Sequence, residues 1–196
     1  MTPEIRAFEF ALGLFTVLIG LAIADVATSL HRLIRHHQEV RWDPLALLAS
    51  LFSLLLSIGM WFDLWGIRHA TSVRYFFLYL VLVAAFFILF LIAASSLPDE
   101  MTGAVDLRRF YEQNRRYFWG LVLTFELVYV ALGFHFVGGM LGKMSGRELW
   151  VLTLHWSVPI LVPALLICIR ARAAHYAGLL ILCAIELWHY SAYSIN

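Results

Sequence analysis

Lysine is all but missing from this chain: Lys143 stands alone among the 14 Lys and Arg residues. It lies between apolar runs, so a lysine-bound chromophore such as retinal has no anchor at membrane depth. Charge of either sign is scarce, at 14% of residues, and a formal net charge of +1 gives no basic surface for nucleic acid. The 2 cysteines, Cys168 and Cys183, sit in apolar runs and exclude a disulfide framework or a Cys-rich metal site. Their different depths on neighbouring runs also argue against a quinone-linked thiol oxidase. Gly138, Gly139, Gly142 and Gly146 suit a flexible turn, and neither a Walker motif nor a dinucleotide fingerprint accompanies them. What fills the chain instead is apolar: 62% of 196 residues are hydrophobic, which excludes a soluble enzyme and a disordered linker.

A helix crosses a ~30 Å hydrocarbon core with about twenty apolar residues. Six stretches have that length: Phe8 to Leu30, Pro44 to Ile67, Tyr75 to Leu97, Tyr117 to Val137, Leu149 to Ile169 and Tyr176 to Ile195. They are continuous and rich in Leu, Ala and Phe, unlike the short alternating segments of a β-barrel. The first carries Asp25 and lacks a basic leader and a small-residue cleavage site, so it reads as a permanent span. The expected fold is all-α: residues 1–196 form one integral membrane bundle of six transmembrane helices.

Six spans put Arg32, Arg35, Arg41, Arg108, Arg109, Arg115, Arg116, Arg170 and Arg172 on one side. Arg6, Arg68, Arg74, Lys143 and Arg147 fall on the other. Positively charged loops stay cytoplasmic, so both termini are expected on the non-cytoplasmic side. Trp42, Trp61, Trp65, Trp119, Trp150 and Trp188 lie near span ends, where amphipathic rings favour the headgroup region. The connection from Pro98 to Arg116 is too polar for lipid; it reads as a solvated connector touching anionic lipid, with a short helix from Asp106 leading into the fourth span.

A charged group near the bilayer centre costs at least ~2.5 kcal/mol, so each one requires a reason. Four acids raise the question: Asp25, Asp63, Glu126 and Glu186. Counting along each span puts Glu126 and Glu186 near the midplane, Asp25 about 9 Å toward the cytoplasm and Asp63 about 12 Å outward. No Lys or Arg shares the central slab, so these carboxyls must be protonated, hydrated, hydrogen-bonded or paired with histidine. On the last span Cys183, Glu186, His189, Tyr190 and Tyr193 form one polar stripe at helical spacing. His155 is expected at about the depth of His189, and Pro159 and Pro163 kink its helix and free backbone carbonyls. Glu126, Glu186, His155 and His189 form the candidate cluster, with His135 further out. Asp25, Ser29, Arg32 and His36 make a second stripe toward the cytoplasm. Small residues fit helix packing, within the chain or across an oligomer: Gly13, Gly20, Ala24 and Ala27 on the first span, Ala46, Ser50, Ser53 and Ser57 on the second.

Several functions remain in competition. Intramembrane acids and histidines without a fixed positive partner suit proton or cation transport, through reversible protonation of Glu126 and Glu186 with His155 and His189 relaying protons to one side, and Asp25 counted in the same pathway. His155 and His189 would serve as axial ligands if the protein held a b-type haem. A third reading is an accessory or signalling subunit whose spans bind other spans, in which the same Glu and His groups are structural glue. A di-iron carboxylate site needs paired Glu-x-x-His motifs, and only Glu186 with His189 has that spacing. His31, His36 and His37 lack the further boxes of a membrane desaturase, and no metal site is expected.

The run Gly20, Leu21, Ala22, Ile23, Ala24, Asp25 is followed by Ser29, Leu30, His31 and Arg32. Trp61 and Trp65 close the second span, and Arg115, Arg116, Tyr117, Phe118, Trp119 and Gly120 open the fourth. Over roughly the first two-thirds of the chain this pattern resembles a widespread family of small proteobacterial membrane proteins. The resemblance implies a bacterial inner-membrane location and carries over no catalytic residue.

Overall fold

The computed structural model describes residues 3–66, 75–100, 103–141 and 144–191, with side chains from Leu12 onward apart from 136–141 and 155. The apolar runs form six helices: α1 (Pro3–Arg35), α2 (Pro44–Gly66), α3 (Phe76–Ala94), α4 (Leu107–Leu141), α5 (Gly146–Cys168) and α6 (Arg172–Tyr190). Ile67, Tyr193 and the expected end at Ile195 lie outside the described residues. Beside the helices, β1 (Val40–Arg41) and β2 (Val105–Asp106) form one short parallel pairing. It clips the α1–α2 connection to the start of α4.

Five helices, α1 to α5, are long and apolar enough to cross a membrane. The sixth does not reach that measure, although it has 19 residues. Arg172, His175, Glu186 and His189 dilute its apolar content, and it turns Gly178, Leu179, Leu182 and Cys183 into the bundle, with α2 as its main neighbour. Polar groups on such a helix are sheltered by protein rather than offered to lipid. α4 has 35 residues, about 50 Å at 1.5 Å per residue, and therefore overruns a hydrocarbon core. Its first turns, Leu107 to Arg116, are the helix expected from the end of the polar connection.

α2 is the hub of the bundle, touching α1, α3, α4 and α6. Its buried face of Ala46, Ala49, Ser50, Ser53, Ser57 and Gly59 is small enough for close approach. The serines do not bond between helices as the sequence suggested. Ser50 donates to the Leu47 carbonyl (2.9 Å), Ser53 to Ala49 (3.0 Å) and Ser57 to Ser53 (2.8 Å), all within α2. Each hydroxyl is satisfied locally, so these serines act across the interface as small side chains. The other expected packing face points away: Gly13, Gly20, Ala24 and Ala27 are exposed, and a Cβ on Gly20 would meet nothing within 4 Å.

Contacts gather the arginines of one expected side at one end of the bundle. Arg172 grips Asp43, at the start of α2, through two hydrogen bonds of 2.7 and 2.8 Å. Arg32 donates to the Asp99 carbonyl (2.6 Å), and Ser29 to the Asp99 side chain (3.4 Å). Arg115 donates to the Ile169 carbonyl (2.8 Å), satisfying an orphan acceptor at the end of α5.

Candidate functional site

At the opposite half of the bundle, α2, α4, α5 and α6 enclose a cavity of about 30 Å³. Asp63, Glu126, Tyr129, Glu186, His189 and Tyr190 supply its polar wall; Pro159 and Trp156 of α5 close one side. The organising group is Asp63. Tyr129 donates to its Oδ2 at 2.9 Å and Tyr190 to the same oxygen at 2.8 Å, while His189 Nε2 stands 3.9 Å from Oδ1. Two hydroxyl donors on one oxygen suit a carboxylate, and charge-assisted bonds of this kind are the strong ones. The His189 separation is too long for a direct hydrogen bond and right for a bridging water or a small movement.

Local sequence explains how these groups converge. On α4, Glu126 and Tyr129 are three residues apart, and on α6 Glu186 and Tyr190 are four apart, so each helix presents an acid and a phenol on one face. On α2, Gly59 lies one turn before Asp63. A Cβ at Gly59 would fall 2.8 Å from Tyr190 Cζ, so the absent side chain is what lets the Tyr190 ring lie on α2 and reach the aspartate.

Glu126 is only 5% exposed and lines this cavity, yet among the described residues no protein group hydrogen-bonds its carboxyl. Glu186 shares the cavity and is likewise without a hydrogen bond among the described residues. Among the described residues no Lys or Arg lines the space. Among the described residues no buried side-chain oxygen lacks a hydrogen-bond partner, so the Glu126 oxygens, which have none, open onto the cavity, where a proton, a water or a cation can meet them. The volume admits a water or two. Among the described residues no three His, Cys, Asp or Glu groups converge as a metal site would require. The arrangement sets separated protonatable groups around one water-sized space.

The sequence-derived candidates divide. Glu126, Glu186, His189 and Pro159 come together; Pro163 is buried one turn further along α5. His155 is on α5, but its side chain lies outside the described residues. Asp25 is elsewhere: it faces the fields of Asp99 and Arg32 beside the arginine-rich end and is not part of the cavity. His135 stands against an apolar groove between α3 and α4 with Tyr75 and Phe77. The b-type haem reading needs His155 and His189 together; the His155 side chain lies outside the described residues, and His189 is turned to Asp63.

Sequence reasoning underrated Asp63 because depth was counted along a straight span, and it missed Tyr129 and Gly59. It also placed Trp119 in the headgroup belt. That ring is fully buried, with its indole N–H donating to Tyr111 Oη at 3.1 Å. Neither a protein-family model, nor a curated protein, nor a solved structure matches the chain.

Proposed function

We propose that this protein is a six-span bacterial inner-membrane channel or transporter for protons or a small cation. In this reading α6 is the sixth span, both termini are non-cytoplasmic and the arginine-rich end faces the cytoplasm, as the Lys and Arg distribution favours. The observation that carries the reading is Glu126, a buried residue whose carboxyl, without a hydrogen-bonding partner among the described residues, opens onto a water-sized cavity shared with Asp63, Glu186 and His189. A proton taken by Glu126 or Glu186 has a next acceptor within the same cavity, the Asp63–His189 pair, which the two tyrosines hold in place.

Reconstitution into liposomes loaded with a pH-sensitive dye, under pH and cation gradients, tests the reading. Native protein is expected to dissipate the gradient, with Glu126→Gln and Glu186→Gln slowed to the level of empty vesicles. Equal flux in native protein, both variants and empty vesicles overturns it. A second reading, an accessory subunit that pairs with other spans or with its own copies, is supported by the outward small-residue face of α1. It predicts that Gly20→Leu abolishes assembly while Glu126→Gln leaves activity intact.

A further inference from the structure

The arginine-rich end holds a second and larger cavity, of about 530 Å³, in the size range of small-molecule sites. Arg108, Arg115, Arg116, Arg170 and Arg172 line it, and Glu112 is the acid among them. These charges are not equivalent. Glu112 accepts from Arg108 at 3.1 Å and from Arg172 at 3.3 Å, so its charge is already matched. Arg172 is further held by Asp43, and Arg115 by the carbonyls ending α5. Arg116 and Arg170 are exposed and, among the described residues, have no acid in ion-pair range. Two unmatched guanidiniums therefore converge on one concavity from α4 and from the α5–α6 connection.

The rest of the wall is built, not loose. His175 Nε2 lies 3.0 Å from the Ile169 carbonyl, and its Nδ1 lies 2.9 Å from Tyr111 Oη. Both bonds are satisfied by a neutral imidazole with the proton on Nε2 and the phenol donating to Nδ1. That ring brings no charge of its own. α6 opens beside it at Arg172 with no side-chain cap and no acid in its first turn, so the positive end of its dipole adds to the field.

We propose that this cavity binds a phosphate group, held by Arg116 and Arg170 in the bidentate manner that guanidinium favours for phosphate oxygens. The same chemistry has two sources, a soluble phosphate and the headgroup of an anionic phospholipid. The site is separate from the acid cavity and stands whether or not that cavity conducts.

Protein in phosphatidylcholine nanodiscs is titrated with inorganic phosphate against sodium chloride at equal ionic strength, and compared with nanodiscs containing phosphatidylglycerol. The readouts are the thermal midpoint and the dissociation constant. A phosphate-specific rise in phosphatidylcholine assigns a soluble ligand; a rise only with phosphatidylglycerol assigns the headgroup. Either response is expected to weaken about tenfold or more in Arg116→Gln/Arg170→Gln and to persist in Arg109→Gln, an exposed arginine of α4 that does not line the cavity. Among the described residues the double variant breaks no ion pair or side-chain hydrogen bond, and in phosphatidylcholine with chloride its midpoint is expected to match native protein. No response beyond chloride in either arm overturns the site. So does an undiminished response in the double variant, or an equal loss in Arg109→Gln.

Discussion

The two polar regions of this bundle treat their acids in opposite ways. At the arginine-rich end three acids have a guanidinium: Asp43 with Arg172, Glu112 with Arg108 and Arg172, Asp106 with Arg41. In the cavity between α2, α4, α5 and α6, Asp63 is met by phenols and a histidine, while Glu126 and Glu186 face space. Matched charges fix helix ends relative to one another. Acids without a protein partner do not fix helices in this way, and the proposed function gives Glu126 and Glu186 a use other than holding the fold. The sharpest way to break the contrast is to neutralise one acid of each kind and ask which loss unfolds the protein.

The largest effect is expected for Asp43→Asn. Asp43 is 3% exposed, caps the start of α2 through the Leu45 N–H at 3.1 Å and carries both bonds from Arg172. Removing the charge leaves a partly exposed guanidinium with Glu112 as its remaining acid and weakens two charge-assisted bonds, which together cost about 3 kcal/mol. Reversible unfolding in mixed detergent micelles measures it; a loss no greater than that of an exposed acid such as Glu39 would remove Asp43 from the role of anchor. Gly59→Ala comes next. The new methyl must push Tyr190 away from Asp63, an overpacking cost of about 2 kcal/mol, with slower flux because Asp63 loses one of its two donors. The double variant Gly59→Ala/Tyr190→Leu is expected to recover the stability but not the flux, and recovery of both would show that the Tyr190 hydroxyl is dispensable.

Glu126→Gln should behave as the mirror image of Asp43→Asn. The amide replaces a carboxyl that has no hydrogen-bonding partner among the described residues, so stability is expected to change by less than about 1 kcal/mol while conductance is lost. Destabilisation as large as that of Asp43→Asn would make Glu126 a structural group and erase the distinction between the regions.

How much of this was written legibly in the chain depends on whether one helix or two are involved. Helix length, the polar extension of α4 and the acid–phenol faces of α4 and α6 follow from spacing along one helix, and those could be read. Partnership between helices could not. Asp63 lay far from Glu126 by counting along its span, yet helix placement and the reach of two tyrosines bring it to the same cavity. The serines of α2 offered hydroxyls to neighbours, but the carbonyl one turn back was nearer. Trp119 has the composition of an interfacial residue, and only the placement of Tyr111 and α6 reveals that it is core. Gly59 carried a usable signal, a glycine one turn from an intramembrane acid, where close approach by another helix is the common reason.

The smallest effect sharpens the comparison through pH. Asp106 begins α4 by accepting the Arg109 N–H at 3.0 Å, and that bond, with Arg41 nearby, holds its carboxyl below the ordinary carboxylate range. The folded state therefore prefers the ionised form. Its stabilisation is complete above the unfolded carboxylate value and is lost as pH falls through the folded one. Thermal midpoints of native protein and Asp106→Asn are expected to differ slightly at neutral pH and to converge in acid, over the window from about pH 4 downward. Because the group is exposed, salt shrinks the contribution from Arg41 but spares the N-terminal hydrogen bond. A difference that stays constant into acid would mean that Asp106 acts through shape rather than charge, and that the matched end of the bundle owes less to electrostatics than Asp43 suggests.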